Sequence, residues 1–278
     1  MRFMTEYNND LCMLVLSCDS YSDLWDDFFN LRDKYWNDTT IRWYIVTETK
    51  EYQRGGVTVI HCGKDMNWAA RFRKAVETVG TPYIGVFLED YFITDKVDID
   101  RVKYLLELMK RERVTYINVS DVFGNIIDMP NKEYFIDHLI RIPTHKRYGI
   151  STVTSIWEKS FLLQKLGAGD YSAWQFEIDR CHEAATSDGL GGFLLCDEKC
   201  TFNVSTIPIV IQGKFYPDAI RYFKRKGYVI DISRRMIMPF RQVFLYKLKV
   251  RMSKARFMRK QLKWIGARIF GIKFFTED

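Results

Sequence analysis

Two places in this 278-residue chain put carboxylates where they can do chemistry. Tyr83 to Leu88 is an apolar run of strand length, rich in aromatic and branched residues, and it breaks directly into Glu89-Asp90. Adjacent carboxylates at the end of a buried strand are costly to desolvate unless a metal or a cationic group meets them; the plain alternative is that they cap the next turn. The second place is Gly169 to Glu177, GDYSAWQFE. Here Ser172 can cap a helix that presents Trp174 and Glu177 three residues apart, as neighbours on one face. A ring beside a carboxylate suits a sugar hydroxyl: the ring covers the apolar face of the pyranose, and the carboxylate can draw off a proton.

The elements that position these groups follow from hydrophobic period. Asp65-Met66-Asn67 can cap a helix carrying Trp68, Phe72, Ala75, Val76 and Val79 on one face, which Gly80-Thr81-Pro82 stops before the acidic strand. Leu11 to Ser17, Ile41 to Thr47 and Val57 to His61 read as earlier strands. Ser20 or Ser22 can cap a helix bearing Leu24, Trp25, Phe28, Phe29 and Leu31. Asp98 or Asp100 opens a helix with Val102, Leu105, Leu106 and Met109 inward, and Val114 to Val119 is the next strand. This alternation predicts an α/β fold with a mostly parallel central sheet flanked by helices, whose ligands sit beyond the carboxyl ends of the strands. Beyond residue 120, Tyr148 to Trp157 is β-prone and Glu158 to Leu166 is a short helix ended by Gly167. Gly189 to Gly192 reads as a loop, part of a lid or a plain connection, and Phe202 to Ile211 as strand-like. The expected divisions are 1–120, 121–215 and a tail over 216–278.

The run from Trp68-Ala69-Ala70-Arg71-Phe72 through Thr81-Pro82-Tyr83 to Leu88-Glu89-Asp90-Tyr91-Phe92 resembles the nucleotide-sugar region of GT-A fold glycosyltransferases. It is most similar to the bacterial kind that builds capsular or lipopolysaccharide chains. The resemblance implies that 1–120 is the nucleotide-sugar half, with Glu89 and Asp90 at the donor and Asp90 reaching the diphosphate through a divalent cation, Mn2+ or Mg2+. Tyr91 stands where the last carboxylate of the family's acidic motif is expected, which leaves metal dependence open. It further implies that Ser17, Asp19 and Tyr21 lie near the donor base, with Thr47 in a similar role. Lys64, Arg71 and Lys214 would then reach the base or diphosphate. On the acceptor side, over 121–215, it implies Glu177 as general base, with Trp174 and Asp170 at the acceptor and Asp170, Asp179 and Glu183 as rivals for the base. The bland reading of these residues is as turn, cap and surface groups.

Size and composition are those of an ordinary globular protein, 47% hydrophobic and 28% charged. Neither spacing of a Gly-rich phosphate loop is present, so P-loop and dinucleotide-type readings lose their support. The six cysteines form no Cys-x-x-Cys pair and read as reduced core thiols, with Cys181-His182, Cys196 and Cys200 a weak metal candidate. No apolar run approaches a bilayer span and the first ten residues are too polar for a signal peptide, so a cytoplasmic protein is expected.

The net charge of +7 is divided unevenly: Lys214 to Lys273 holds eighteen Lys and Arg against Asp218 and Asp231, a net +16 that leaves −9 elsewhere. Along this tail Phe240, Phe244, Leu248, Met252, Ala255, Met258, Leu262, Ile265 and Ile269 recur at spacings of three or four. The period predicts a basic amphipathic helical extension. Such a helix suits the anionic inner face of a cell membrane through residues 240–270; packing on the acidic body is the alternative, and no nucleic-acid module accompanies the charge. The whole reads as an inverting glycosyltransferase that takes a nucleotide-diphosphate sugar, a UDP-sugar first among them, to a glycan or lipid-linked glycan. A sugar nucleotidyltransferase and a non-catalytic membrane adaptor are the alternatives.

Overall fold

A computed structural model describes residues 9–122 and 124–254. By its internal contacts the chain divides into two compact units between Ile207 and Pro208.

The first unit is built on β1 (Leu11–Leu16), β2 (Arg42–Thr47), β3 (Val57–His61), β4 (Tyr83–Leu88), β5 (Tyr116–Asn118), β6 (Tyr134–Ile136), β7 (Leu139–Arg141), β8 (Ser155–Glu158) and β9 (Leu194–Asp197). These strands form one sheet in the order β3-β2-β1-β4-β8-β5-β9-β7-β6. β1 to β4 are mutually parallel, β8 runs antiparallel between β4 and β5, β9 is parallel to β5, and the β6-β7 hairpin closes the far edge. This is the α/β architecture that the alternating periods predict. The helices of this unit are α1 (Trp25–Tyr35), α2 (Trp68–Thr78), α3 (Ile99–Glu112), α4 (Lys159–Leu166) and α5 (Ala173–Glu183).

Period-two alternation sends strand side chains to two cores. Cys12, Leu14, Leu16, Val46, Ile84 and Val86 pack with Phe72 and Val76 of α2 and Leu162 of α4. On the other face Trp43 and Phe87 meet Phe28 of α1, and Phe202 stacks on Phe87 with ring centroids 5.3 Å apart. The acidic strand is β4, buried between β1 and β8, so its carboxyl end leaves the centre of the sheet.

Several local expectations hold and others need correction. Asp98 caps α3 by accepting from the Arg101 amide at 3.0 Å, and Ser172 caps α5 through the Gln175 amide at 3.2 Å. Neither Ser20 nor Ser22 caps α1: a 3-10 turn, Asp19–Leu24, carries the chain into it, and Ser22 instead accepts from the Lys50 ammonium. Asn67 stands at the cap position of α2 but makes no side-chain cap bond. Phe202 to Ile211 is not one strand: Val204 makes a single bridge to Ile93, and only Val210–Ile211 is strand. Gly189 to Gly192 is a packed connection, because Leu190 is fully buried and its amide donates to the Thr144 carbonyl at 2.8 Å. Gly189 has φ +60°, and a Cβ there would lie 2.8 Å from that same carbonyl oxygen, so the turn requires glycine.

The second unit holds a two-stranded ribbon, β10 (Val210–Ile211) with β11 (Lys214–Phe215), then α6 (Pro217–Arg225) and α7 (Phe240–Lys254). The phase of α7 differs from the expected stripe. Val243 is the buried residue of its first turns and Tyr246 meets the Tyr216 ring at 5.6 Å, while Phe240 and Phe244 are exposed. The stripe from Ala255 to Ile269 lies outside the described residues.

The ends of α3 and β9 are tied by a buried charge pair. Arg101 donates to fully buried Asp197 at 2.9 Å and also pairs with Asp137, and Asp197 accepts in addition from the Thr201 amide at 3.1 Å. Removing one member of such a pair strands the other without compensation. Arg101→Leu is therefore expected to cost about 3 kcal/mol or more in chemical denaturation.

Candidate functional site

Because β1 to β4 are parallel, the turns that follow them gather at one edge of the sheet. Ser17 to Tyr21 leave β1 there, Thr47-Glu48 leave β2, Cys62 to Lys64 leave β3 and Glu89-Asp90 leave β4. β8 enters from the same edge: Val86 lies opposite Ser155, so residues 151–154 run beside the end of β4.

A latch joins the exits of β1 and β2 to α2. The Asp19 amide donates to Glu48 Oε2 at 3.1 Å, and the Glu48 amide returns a bond to Asp19 Oδ1 at 3.0 Å. The amides of Thr49 and Lys50 and the Thr49 hydroxyl also point into the Asp19 carboxylate. Arg71, from α2, reaches the other oxygen of Glu48 at 2.5 Å. Burial opposes charge on Asp19, but the Thr49 hydroxyl and the amides of Lys50, Thr49 and Glu48 outweigh it and hold the carboxyl below its ordinary value.

The remaining donor-side residues are engaged to different degrees. Ser17 Oγ accepts from the Trp25 indole at 2.7 Å, which supports the turn from behind. Thr47 is fully buried, with its hydroxyl 2.9 Å from His61 Nδ1, and His61 Nε2 lies 3.0 Å from Glu51. Tyr21 is half-buried, and Lys64 is exposed with no hydrogen bond among the described residues. Glu89 is buried, Asp90 half-buried, and Tyr91 turns inward with Phe92. Burial pushes the Cys18 thiol up against the opposing hydrogen bond with the Ser20 hydroxyl, and the Glu89 charge adds to the rise while Arg71 opposes it. In the second unit, Lys214 donates to Gln242 at 2.8 Å.

The acceptor-side segment is fastened to α2. Asp170 Oδ2 accepts from the Asn67 amide at 3.1 Å and Oδ1 from the Ala70 amide at 3.3 Å, while the Ala69 amide donates to the Tyr171 carbonyl at 2.9 Å. Asp170 thus supplies the helix cap that Asp65 to Asn67 do not. α5 follows directly, with Phe176 inward against Trp68 at 5.5 Å and Trp174 61% exposed. Glu177 Oε1 accepts both the Thr152 amide at 3.1 Å and the Thr152 hydroxyl at 2.9 Å, and no hydrogen bond reaches Oε2 among the described residues. Its rivals are otherwise engaged: Asp179 accepts from Gln175 at 2.7 Å, and Glu183 pairs with Lys165 and with Arg180. Thr152 was not foreseeable, since nothing in its local sequence points 25 residues ahead to Glu177.

Among the described residues no group of three or more His, Cys, Asp and Glu could hold a metal ion. The edge does not by itself fit a resident cation. The six cysteines are free thiols. A cavity of about 300 Å³ lined in part by Arg141, Phe193 and Leu194 lies by the amino end of β9, at the opposite edge of the sheet.

No family model matches the chain, and no curated protein matches it in sequence. Among solved structures, that of residues 1–349 of Staphylococcus aureus TarS is 10% identical with a TM-score of 0.40, over 94% of this chain and 70% of that one. A longer TarS structure is 9% identical with a TM-score of 0.40, over 94% of this chain and 43% of that one. The bifunctional IspDF of Campylobacter jejuni is 12% identical with a TM-score of 0.35, over 67% of this chain and 49% of that one. Likenesses this shallow carry no argument; the chemistry of the site rests on its residues and the sheet that holds them.

Asp170 provides a direct check on the fastening of α2. Asp170→Ala is expected to lower stability by about 1 kcal/mol in urea, because two first-turn amides lose their acceptor. For Asp19 the sign follows from its lowered value. Its contribution is complete above the usual aspartate range near pH about 4, and is lost as pH falls through the lower folded value. Asp19→Asn is expected to reduce stability at neutral pH and to flatten the acid limb of an unfolding series over pH about 2 to 7.

Proposed function

We propose that this chain is a GT-A type glycosyltransferase. In this reading it moves a sugar from a nucleotide-diphosphate donor, a UDP-sugar first among candidates, to a glycan acceptor in bacterial surface polysaccharide synthesis. Capsule or lipopolysaccharide is the product class, and the acceptor is lipid-linked.

The observation that carries the proposal is the setting of Glu177. One oxygen is anchored by Thr152 beside the end of β4, and the carboxylate shares α5 with the exposed Trp174 ring. A general base needs a fixed carboxylate with an oxygen within hydrogen-bond reach of the proton it takes, and a sugar needs an apolar face to stack on. The acceptor hydroxyl attacks the anomeric carbon, Glu177 takes its proton, and the bond from that carbon to the diphosphate oxygen breaks. A single displacement inverts the anomeric centre.

Charge grows on the leaving diphosphate. Arg71 and Lys64, at the edge, are the cations proposed to meet it. Tyr21, on a turn braced by Ser17 and Asp19, is proposed to border the donor base, with Glu89 and Asp90 beside the ribose; Thr47, fully buried, would act only through His61, which its hydroxyl meets. Asp170 contributes through its hold on α2 and the start of α5. Because the edge offers no cation site of its own among the described residues, a divalent cation would have to arrive with the donor's diphosphate, where Asp90 would be its protein ligand and the ion would neutralise diphosphate charge.

Among the described residues no helix is long and apolar enough to cross a membrane. The excess of Lys and Arg after Lys214 and the exposed Phe240 and Phe244 support a peripheral seat on the inner face of the cell membrane through residues 240–270.

Thermal unfolding of the purified protein against UDP, GDP, CMP and dTDP and their sugars, with and without manganese, tests donor binding. Stabilisation by one nucleotide family is expected, and a folded sample that responds to none would sink the proposal. With the donor identified, Glu177→Gln is expected to lower kcat by about a hundredfold or more while the donor-induced shift stays unchanged. Turnover at a tenth of normal or better would remove Glu177 as base.

A further inference from the structure

The second unit has buried apolar side chains and still leaves other large ones exposed. Phe215, Ala219, Phe223, Ile230, Met238 and Val243 are all buried. The segment between α6 and α7 is pinned across them, with the Phe215 amide bonding the Met236 carbonyl and the Met238 amide returning to the Phe215 carbonyl, each at 2.9 Å. This pinning turns Met238 inward. Val229, Ile232, Met236, Ile237, Phe240 and Phe244 remain outside, with exposures from 38% at Ile232 to 85% at Phe240. Single exposed apolar residues are ordinary, but six crowded into residues 229–244 call for a covering surface.

The charges around them indicate which surface. Arg221 to Arg251 contains ten Lys and Arg and one acid, Asp231. Lys224, Arg225, Lys226, Arg234, Arg241, Lys247 and Arg251 are exposed, interleaved with the apolar residues. The centre of a protein interface tolerates Arg but is depleted of Lys and of charge as a whole, and a net +9 over Arg221 to Arg251 runs against that. At a bilayer the mixture fits: aliphatic and aromatic tips enter the headgroup boundary while long basic side chains reach back to anionic headgroups.

We propose that residues 229–244 form a membrane-inserting edge that seats on anionic lipid, with the segment before α7 supplying as much of the apolar contact as the helix. This deepens the membrane part of the proposed function and rests on it. It moves the inserting element upstream of the amphipathic stripe, onto Val229, Ile232, Met236 and Ile237, which follow no helical period.

Flotation of the full chain with vesicles of phosphatidylcholine and phosphatidylglycerol at about 7:3, against phosphatidylcholine alone, tests it. Binding to the anionic vesicles only is expected. Met236→Asp with Phe240→Asp should reduce the bound fraction by about tenfold. Met236→Ser with Phe240→Ser should give a smaller loss in the same direction, with thermal unfolding unchanged in both because the positions are exposed. If the native chain floats and both double variants float equally well, the inserting edge is wrong while the membrane seat stands. If the native chain fails to float with either vesicle, or is retained by single-stranded RNA in place of vesicles, the membrane reading falls with it. Nucleotide-induced stabilisation, read on the same samples, reports on the transferase independently of either result.

Discussion

The interaction on which the candidate site depends is the clasp between residues 167–171 and the first turn of α2. A helix begins with amide groups that have no partner within it, and they carry the positive end of its dipole. Here the Asp170 carboxylate takes the Asn67 and Ala70 amides and the Tyr171 carbonyl takes that of Ala69, while Arg73 returns bonds to the Gly169 carbonyl at 2.8 and 3.2 Å and to Gly167. The first turn of α2 is thereby satisfied by a segment a hundred residues away in the chain. That segment opens directly into α5, so the helix carrying Glu177 starts where the helix carrying Arg71 starts. The proposed acceptor and donor sides are held together by backbone groups that could not remain unpaired.

A second constraint acts along the sheet edge. Parallel strands deliver their turns side by side, and turns rich in polar backbone groups must bond to one another or to solvent. Asp19 and Glu48 resolve this by exchanging amide bonds, with Arg71 closing the set from the helix. The chemistry required of the proposed donor site begins from that rigid base. Fixed cations and dipoles that need not reorganise are what stabilise a charge appearing on a leaving group.

Much of this was legible in the sequence, and the failures have a common cause. The strands β1 to β4 and the caps Asp98 and Ser172 were readable because their determinants lie within a few residues: an apolar run, or an acceptor three positions before an amide. The Asp170 cap, the Glu48 latch and the Thr152 anchor were not, because each joins residues from 23 to 103 positions apart. Asp65 to Asn67 had the composition of a cap, yet the cap bonds come from Asp170, whose carboxylate the fold brings to the same amides. In α7 the helix was legible and the buried face was not. The stripe through Phe240 and Phe244 faces outward because Val243 and Tyr246 are the residues that meet the core and Tyr216 of its unit. Sequence gives the period of a helix, but only its neighbours decide which face is inward.

The setting of Glu177 shows why position rather than composition distinguishes it from the other acids of α5 and its approach. Asp170 has both oxygens committed to a helix start, and Glu183 holds Lys165 with one oxygen and Arg180 with the other. Glu177 has one oxygen fixed by two donors of a single residue. That residue, Thr152, lies just ahead of β8, in a segment whose Thr154 carbonyl is held by the Ser120 hydroxyl at 3.1 Å and the Val119 amide at 3.3 Å. The orientation of the carboxylate is therefore inherited from the register of β8 between β4 and β5, not from α5 alone. A helix can place a carboxylate only as well as its own ends are held; a bond to the sheet edge places it relative to the strand that ends in Glu89-Asp90. For the proposed reaction, which must bring a hydroxyl, an anomeric carbon and a diphosphate into line, that shared frame is the requirement that matters most.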